Sequence, residues 1–324
     1  MDYSMQVLII GGAGYIGSHV VNTCCDKHCA VTVFDNLSSG FRENVDPRAT
    51  LIIGDIMRID NLEKAFAQKP DVVIHLAAHK DAGESMHKPE KYSHNNISGT
   101  INILAKMVEH KTPFIIFSSS AAVYGSPEYL PIDENHPLNP ENYYGFTKLE
   151  IERLLFWYSK LKGIRYAALR YFNAAGYGSP RNVEKNPGNL LPIIMEVAAG
   201  KRKDVKVYGN DYDTPDGTGV RDYIHVLDLA DAHYRAMEYV QTHGTDLVVN
   251  LSTEKGLSVL ELIRKTEEIT GKKIPYEITP RRPGDPATVV ASAKLAHQLL
   301  GWKPQHSDSD EIIRSMWDVY KSKV

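Results

Sequence analysis

Residues 6–19 read QVLIIGGAGYIGSH, a short apolar run that passes directly into a glycine-rich turn. The run at 6–10 predicts a buried strand, and the residues at 18–26 predict a helix. Between them, Gly11 allows the tight turn, Gly14 lets a pyrophosphate approach the backbone, and Gly17 lets the helix and strand pack closely. The spacing G-x-x-G-x-x-G departs from the usual G-x-G-x-x-G. Strand, turn and helix together still predict a dinucleotide-binding unit.

A second predicted strand at 31–34 ends at Asp35. A carboxylate at this point can accept hydrogen bonds from the ribose hydroxyls of a dinucleotide, and it repels a 2′-phosphate. The sequence therefore predicts that the cofactor is NAD rather than NADP.

Strands and helices continue to alternate up to residue 173. Further strands are predicted at 51–56, 71–76, 114–117 and 166–170, and helices at 61–68, within 89–110 and at 140–162. This alternation predicts an α/β fold with a doubly wound parallel (Rossmann) sheet, in which ligands bind at the carboxyl ends of the strands. Five residues at or just past predicted strand ends are candidates for that site: Asp35, Asp55, Ala77, Ser120 and Phe172.

The pattern changes after residue 173. The segments 174–189 and 209–219 are rich in Gly, Pro, Asn and Asp and are interpreted as functional loops. A helix is predicted at 257–270 with Ser258 as its N-cap. In the basic loop 280–285, Arg281, Arg282 and Asp285 could hold a diphosphate and a sugar, although such a loop is often only a solvated turn. We expect an NAD-binding domain at 1–173 and a smaller mixed α/β substrate domain at 174–324, with segments that can return to the first.

Composition excludes several classes of protein. The 324 residues are 43% hydrophobic and 24% charged, with a net charge of −3 and no basic run, so no nucleic acid partner is expected. No apolar stretch reaches about 18 residues, so no membrane span is predicted. The first five residues do not resemble a signal peptide, and a cytoplasmic location is expected.

The cysteines lie close together at Cys24, Cys25 and Cys29, with His19 and His28 nearby. This grouping raises the question of a metal site. No second ligand pair recurs at the spacing of a zinc finger, and the segment is already explained as helix, turn and strand. We therefore expect free thiols and no metal.

Tyr144 and Lys148 are four residues apart in a predicted helix, which places them on one face, one turn from each other. A neighbouring ammonium stabilises a phenolate and lowers the pKa of the tyrosine, so that Tyr144 could act as a base. Ser120, directly after a predicted strand, completes a candidate catalytic set. Tyr143 is assigned no catalytic role because it does not have this spacing to Lys148.

The chain resembles extended short-chain dehydrogenases/reductases and, within them, the UDP-galactose 4-epimerase family. The resemblance covers essentially the whole chain and rests on eight motifs: GGAGYIGSH (11–19), DNLSSG (35–40), GES (83–85), SSSAAVYG (118–125), YGFTK (144–148), LRYFNAAG (169–176), GNDYDTPDGTGVRDYIHV (209–226) and RRPGDPA (281–287). It implies interconversion of UDP-galactose and UDP-glucose through a 4-keto intermediate, with reversible hydride transfer to bound NAD.

The resemblance also implies binding residues. Those for NAD are Gly11, Gly14, Tyr15, Ile16, Gly17, Asp35, Asn36, Leu37, Ser38, Ser39, Gly40, Asp55, Ile56, Leu76, Ala77, Ala78, Lys80, Asn95, Tyr144, Lys148 and Phe172. Those for the UDP-sugar are Lys80, Ser120, Tyr144, Asn173, Asn189, Leu190, Val207, Tyr208, Arg221, Tyr223, Arg282, Asp285 and Thr288.

Two positions depart from the family pattern. Ala122 stands where the family often has Thr, which removes one side-chain contact near the sugar. Thr288 stands where some members carry a bulky Tyr. From this small residue we hypothesise that UDP-GlcNAc and UDP-GalNAc are also accepted.

Three other classes were weighed. Nucleotide-sugar dehydratases and decarboxylases need carboxylates where this chain has Ala121 and Ala122. A UDP-glucuronate 4-epimerase differs only in pocket shape and stays open. A non-catalytic NAD-sensing protein would not need the set of Ser120, Tyr144 and Lys148.

The resemblance further implies a homodimer formed through the helices near 95–110 and 144–162. Apolar residues there are compatible with this interface and equally with internal packing. They are Ile97, Ile101, Leu104, Leu155 and Trp157.

Overall fold

The computed structural model describes residues 5–179, 184, 188–282 and 284–322. The described residues therefore do not include residues 1–4 or Pro283 of the basic loop. They include only part of the predicted loop 174–189. The strands are β1 Gln6–Ile10, β2 Ala30–Asp35, β3 Thr50–Ile53, β4 Val72–His75, β5 Phe114–Ser118, β6 Arg165–Tyr171, β7 Asn173–Ala175, β8 Val205–Tyr208, β9 Val220–His225, β10 Leu247–Leu251, β11 Gly256–Ser258, β12 Tyr276–Thr279 and β13 Thr288–Val289.

Eleven α-helices are found within the same described residues. They are α1 Tyr15–Asp26, α2 Ile59–Phe66, α3 Ala82–Ser85, α4 Pro89–Tyr92, α5 Gly99–His110, α6 Tyr143–Lys162, α7 Leu190–Ala198, α8 Val226–His243, α9 Val259–Thr270, α10 Lys294–Leu300 and α11 Ser309–Lys321.

A parallel sheet of seven strands forms the centre, in the order β10-β6-β5-β4-β1-β2-β3. The predicted doubly wound α/β fold is confirmed. Strands of such a sheet are covered on both faces, which explains why β1 and β4 are almost continuously apolar. The strand order reverses between β1 and β4, and this is where ligands bind in folds of this kind.

Apolar side chains cover both faces of this sheet. One core contains α1 and α8, including the buried free thiols of Cys24, Cys25 and Cys29, as predicted. The other core contains side chains of α2, α5 and α6. The sequence did not predict α8 or β10, and β10 pairs with β6 although it follows residue 173. The later part of the chain therefore does return to the first sheet.

The remaining elements surround a third core. A four-stranded sheet joins β7, β9, β11 and β13, and β8 pairs with β12. Helices α7, α9 and α11 pack together over a cluster that includes Ile194, Leu262 and Ile313. Ser258 caps α9 as predicted, in a capping box with Glu261.

Two predicted elements differ from the structure. The long helix expected within 89–110 consists of α4, a π-helical segment at Ser93–Ser98 and then α5. On α5, Leu104 is buried but Ile101 and Val108 are exposed. The predicted apolar stripe is therefore divided between the core and the protein surface. The third strand ends at Ile53 rather than at residue 56, because the chain then turns at Ile56 and Met57, where the amide of Arg58 donates to the carbonyl of Asp55 at 2.9 Å.

No helix in the described parts of the chain is long and apolar enough to cross a membrane.

Candidate active site

A cavity of about 570 Å³ lies at the carboxyl ends of β1, β2 and β4, where the strand order reverses. Its volume is within the range of sites for small molecules and cofactors. Fifteen of the residues predicted to bind NAD line it: Gly11, Gly14, Tyr15, Ile16, Gly17, Asp35, Asn36, Ser38, Ser39, Ile56, Leu76, Ala77, Ala78, Lys80 and Asn95.

The glycine turn tolerates no side chain. Gly11 has φ of +89°, and a Cβ there would lie 2.7 Å from the backbone nitrogen of Ala77. A Cβ on Gly17 would lie 2.1 Å from the carbonyl oxygen of Gly11. Gly14 is the N-cap of α1, and among the described residues no side chain caps this helix. The helix N-terminus therefore presents its amides to the cavity, which suits the pyrophosphate of a dinucleotide.

Asp35 is held rigidly at the cavity wall. Its carboxylate accepts the amide of Ala13 at 3.0 Å and that of Leu37 at 2.8 Å. Burial raises the pKa of this carboxyl group, and the two amides oppose the shift. A fixed carboxylate at the end of β2 fits the ribose of NAD.

Other predicted NAD residues lie outside the lining. Leu37 contributes its amide to Asp35, and Gly40 packs on the backbone of Ala13. The remaining ones are Asp55, Tyr144, Lys148 and Phe172.

Sequence reasoning missed ten residues of the lining: Ile10, Phe34, Gly54, His79, Asp81, Glu84, Lys91, Tyr92, Tyr171 and Glu184. Their proximity to strand ends could have identified Ile10, Phe34, His79 and Tyr171. Glu184 comes from a distant loop, where it forms an ion pair with Lys80, and no local pattern predicts that contact.

The start of α6 places Tyr144. The side chain of Asn142 caps the helix by accepting the amide of Gly145 at 2.8 Å, and the amide of Tyr144 donates to Ser85 Oγ at 3.0 Å. A Cβ on Gly145 would lie 2.4 Å from the carbonyl oxygen of Ala122. The glycine of the YGFTK motif therefore lets α6 approach the segment that follows β5.

The structure brings the predicted catalytic set together. Ser120 lies near enough to the phenol of Tyr144 to lower its pKa, and α6 packs closely on Ala122, two residues after Ser120. Lys148 is buried, and its Nζ donates to the carbonyl oxygen of Ser118 at 2.7 Å. The same Nζ lies 5.7 Å from the centroid of the Tyr144 ring.

Burial dominates the protonation of this set. Desolvation raises the pKa of Tyr144 above its ordinary value, Tyr171 adds to the shift, and the hydrogen bond from Ser120 opposes it. Desolvation lowers the pKa of Lys148 to about 7, and Glu152 opposes this shift. The sequence predicted a lowered pKa for Tyr144. The structure gives the opposite direction, because burial disfavours the charged form of both groups.

A second group of predicted residues lies on β7, β8, β9 and the basic loop. Arg221 forms an ion pair with Asp285 and also donates to the carbonyl of Val220 at 2.7 Å. The guanidinium of Arg282 lies 3.8 Å from the centroid of the Tyr208 ring. Two cations and an aromatic face are thereby available for an anionic, aromatic ligand.

Asn173 and Tyr223 lie beside this group. They face each other in the pairing of β7 with β9, and Asn173 Nδ2 donates to the carbonyl of Asp222 at 3.1 Å. Asn189 is the N-cap of α7, followed by the partly buried Leu190.

Two side chains of this region lie apart from the others. The side chain of Val207 is buried in the third core, so its side chain does not line an open pocket. Arg281 lies against Tyr212 and binds Asp211 at 2.7 Å, so the two adjacent arginines do not point at one ligand.

The prediction that Thr288 limits the size of the sugar can be compared with its neighbour. Thr288 and Val289 form β13, and neighbouring side chains in a strand point to opposite faces. Val289, Ala121 and Phe172 each pack against the same apolar cluster around Tyr124. Val289 is therefore a second candidate beside Thr288 for the residue that limits the size of the sugar.

The sheet, the cavity, and the partly buried Tyr144 beside the buried Lys148 define a dinucleotide-binding α/β protein with a candidate catalytic set at its strand ends. Residues 7–252 match the family described as NAD dependent epimerase/dehydratase. The chain belongs to that family.

Relatives and solved structures agree with this assignment. A UDP-glucose 4-epimerase of Streptococcus mutans is 44% identical, over 98% of this chain and 97% of the relative. The crystal structure of UDP-glucose 4-epimerase from Brucella ovis in complex with NAD is 41% identical, with a TM-score of 0.95 over 98% and 99% of the two chains. The enzyme from Bifidobacterium longum, in complex with NAD+ and UDP, is 39% identical, with a TM-score of 0.91 over 98% of each chain.

Proposed function

We propose that this chain is an NAD-dependent UDP-glucose 4-epimerase, which interconverts UDP-galactose and UDP-glucose. The observation that carries the proposal is the placement of Ser120 and Lys148 near Tyr144, where α6 packs on the segment that follows β5, beside a cavity that fits a dinucleotide. The names of the relatives at 41–44% identity support the same substrate pair.

The residues of the chain have separate tasks in this reaction. Bound NAD supplies a hydride acceptor and donor. The phenolate form of Tyr144 takes the proton of the sugar 4-hydroxyl as a general base, and Ser120 holds the 4-oxygen or relays its proton. Lys148, fixed by the carbonyl of Ser118, would in its protonated form offset part of the burial that disfavours the phenolate.

Inversion at C4 requires that the 4-keto sugar turn over while its nucleotide stays bound. Arg221, Asp285, Arg282 and Tyr208 suit a uridine diphosphate, since they offer guanidinium groups and a ring face. Contacts to the sugar itself are expected to be few, which leaves the keto sugar free to present its other face.

The segment after Ser120 argues against elimination chemistry. Ala121 and Ala122 begin a 3₁₀ turn there, and Ser120 Oγ accepts the amide of Ala122 at 3.1 Å. Neither alanine offers the acid or base that a dehydratase or decarboxylase needs.

We further propose a homodimer in which α5 and α6 of each copy meet. Ile101, Val108, Phe146, Trp157 and Leu161 are exposed on these helices. Apolar surface gathered on adjacent helices is typical of a protein interface. Leu104 and Leu155 are buried within the chain and are therefore excluded from this interface.

Two further expectations remain part of this proposal. They are the division of the chain into domains at 1–173 and 174–324, and a cytoplasmic location.

Incubation of the purified protein with UDP-galactose, without added NAD, tests the function. Separate reactions contain UDP-GalNAc and UDP-glucuronate, and the products are separated by chromatography. We expect UDP-glucose to form from UDP-galactose. A protein that carries NAD but converts none of these substrates would instead be a non-catalytic NAD-binding protein. Conversion of UDP-glucuronate alone would identify the UDP-glucuronate 4-epimerase.

A further inference from the structure

A buried ion pair lies one turn beyond Lys148 on the same side of α6. The side chains of Arg170 and Glu152 are 5% and 7% exposed. Arg170 donates to the carboxylate from Nη2 at 2.6 Å and from Nε at 3.0 Å, a two-pronged contact. Burying two charges costs desolvation that the pair itself barely offsets, so stability alone does not explain this arrangement.

The carboxylate of Glu152 has a third partner. Ser119 Oγ donates to Glu152 Oε1 at 2.5 Å, and Ser119 is 1% exposed. Ser119 stands between Ser118, whose carbonyl accepts Lys148 Nζ at 2.7 Å, and Ser120. Two side chains of α6, one turn apart, thus hold consecutive residues at the end of β5.

The backbone of this segment is bound from the other side as well. The amide of Ser119 donates to the carbonyl of Leu169 in β6 at 2.9 Å. Ser119 is therefore bound to β6 through its backbone and to α6, the helix that carries Tyr144, through its side chain. Loss of the hydrogen bond to Glu152 would change the distance between Ser120 and Tyr144, because Ser120 follows β5 and Tyr144 lies in α6.

We propose that Glu152 is a positioning residue of the epimerase reaction: held by Arg170, it fixes Ser120 against Tyr144 through Ser119. The inference rests on the proposed function. Errors of about 1 Å in the placement of a catalytic group can cost about a hundredfold in rate, so a tie of this kind has a measurable effect. Glu152 touches neither the cavity nor the hydroxyl of Ser120, so it reaches Ser120 through Ser119, in addition to its charge effect on Lys148, which Ser119→Ala leaves in place.

The first test removes only the tie. Ser119→Ala leaves the pair of Glu152 and Arg170 in place. We expect kcat for UDP-galactose to fall about 10- to 100-fold, with KM and retained NAD unchanged, as for an interaction made in the transition state. Tyr124→Phe is the matched control, because it removes the bond of 3.0 Å from Arg170 Nη1 to Tyr124 Oη on the other side of the pair. We expect that control to keep the kcat of the wild type.

The second test separates positioning from folding. In the double variant Glu152→Met/Arg170→Met both charges disappear together, which avoids an unpaired buried charge. We expect its melting temperature to stay close to that of the wild type, while kcat falls as in Ser119→Ala. A purely structural pair would instead give a double variant with the kcat of the wild type.

The outcomes distinguish the two proposals. A wild-type protein that converts no nucleotide sugar overturns the proposed function, and the positioning role with it. An active wild type, together with a Ser119→Ala or a folded double variant whose kcat is within about twofold of wild type, overturns the positioning role alone.

Discussion

The ammonium group of Lys148 donates a hydrogen bond of 2.7 Å to the carbonyl oxygen of Ser118. This contact joins α6 to the carboxyl end of β5, the two elements that supply Tyr144 and Ser120. Because Lys148 is 3% exposed, the bond is made in a desolvated environment, where electrostatic interactions are strong. Lys148 therefore has two effects: it connects α6 to β5, and it places an ionisable group near the proposed base, Tyr144.

Tyr144→Phe should lower epimerase activity by several orders of magnitude. The phenol is the proposed general base, and a phenyl ring cannot accept the proton of the sugar hydroxyl. NAD binding should remain, since Tyr144 does not line the cavity. Turnover of UDP-galactose and the nucleotide released on denaturation of the protein are the two measurements.

Tyr143→Phe is the control for this substitution. The Tyr143 hydroxyl is bound to Ser93 Oγ at 2.6 Å, away from the catalytic set. We expect this variant to keep most of its activity. Near-normal turnover in Tyr144→Phe would overturn the assignment of the base.

Gly17→Ala should abolish NAD binding or the fold of the turn. Its added Cβ would lie 2.1 Å from the carbonyl oxygen of Gly11, so the strand and helix must separate. Gly188→Ala is a control, because its Cβ would meet no atom of the described residues within 4 Å. Released nucleotide and the melting temperature are measured for both variants. A Gly17→Ala protein with the NAD content and stability of the wild type would contradict this account of the turn.

The parts of the site encoded by local patterns could be predicted from the sequence. The turn at Gly11, the carboxylate of Asp35 and the spacing of Tyr144 and Lys148 each have a short-range signature with a physical cause. The strands that alternate with helices up to residue 171 are likewise recognisable, because buried parallel strands are short apolar runs.

Long-range packing is what the sequence did not reveal. The return of β10 to the central sheet depends on pairing with β6, about 80 residues earlier in the chain, and no local pattern encodes it. The raised pKa of Tyr144 follows from how completely other segments enclose the phenol. The alternation of Thr288 and Val289 in β13, and the packing of Val289 on a cluster from distant segments, likewise have no local signature.

Stability should fall in acid, in part through His19. The amide of Gly178 donates to His19 Nε2 at 2.9 Å, so Nδ1 carries the proton that is donated to the carbonyl of Tyr15 at 2.8 Å. The neutral ring uses both nitrogens, and burial lowers the pKa of His19 to about 4. An unfolded histidine has a pKa of about 6.5, so between these values the unfolded state binds the extra proton.

The free energy of unfolding should therefore decrease as pH falls from about 6.5 to 4, by up to about 1.4 kcal/mol per pH unit for this group. In His19→Gln this slope should be smaller by up to that amount. Denaturant unfolding at several pH values measures it, and exposed His87→Gln is the control. An unchanged slope in His19→Gln would show that His19 is not part of the acid response.

Sugar size should depend on Val289 more than on Thr288. Val289→Tyr places a ring against the apolar cluster on which Ala121 and Phe172 also pack, and we expect it to reduce activity on UDP-GalNAc far more than on UDP-galactose. Thr288→Tyr, on the opposite face of β13, should leave the ratio of the two activities unchanged. The ratio of kcat/KM values for the two sugars is the measurement. The original assignment to Thr288 is restored if the effects are reversed, and acceptance of N-acetyl sugars is refuted if the wild type does not convert UDP-GalNAc at all.

Trp157→Glu should convert the proposed homodimer into a monomer. Trp157 is 55% exposed and Leu161, one turn later on α6, is 68% exposed, so a buried carboxylate between two copies would cost more than the interface gains. Ile59→Glu is the matched control, since Ile59 is 50% exposed but lies on α2. Light scattering during gel filtration gives the mass of each variant. A monomeric wild type would refute the homodimer. A dimeric Trp157→Glu protein would place the interface on another surface, whereas dissociation of Trp157→Glu alone would assign it to α6.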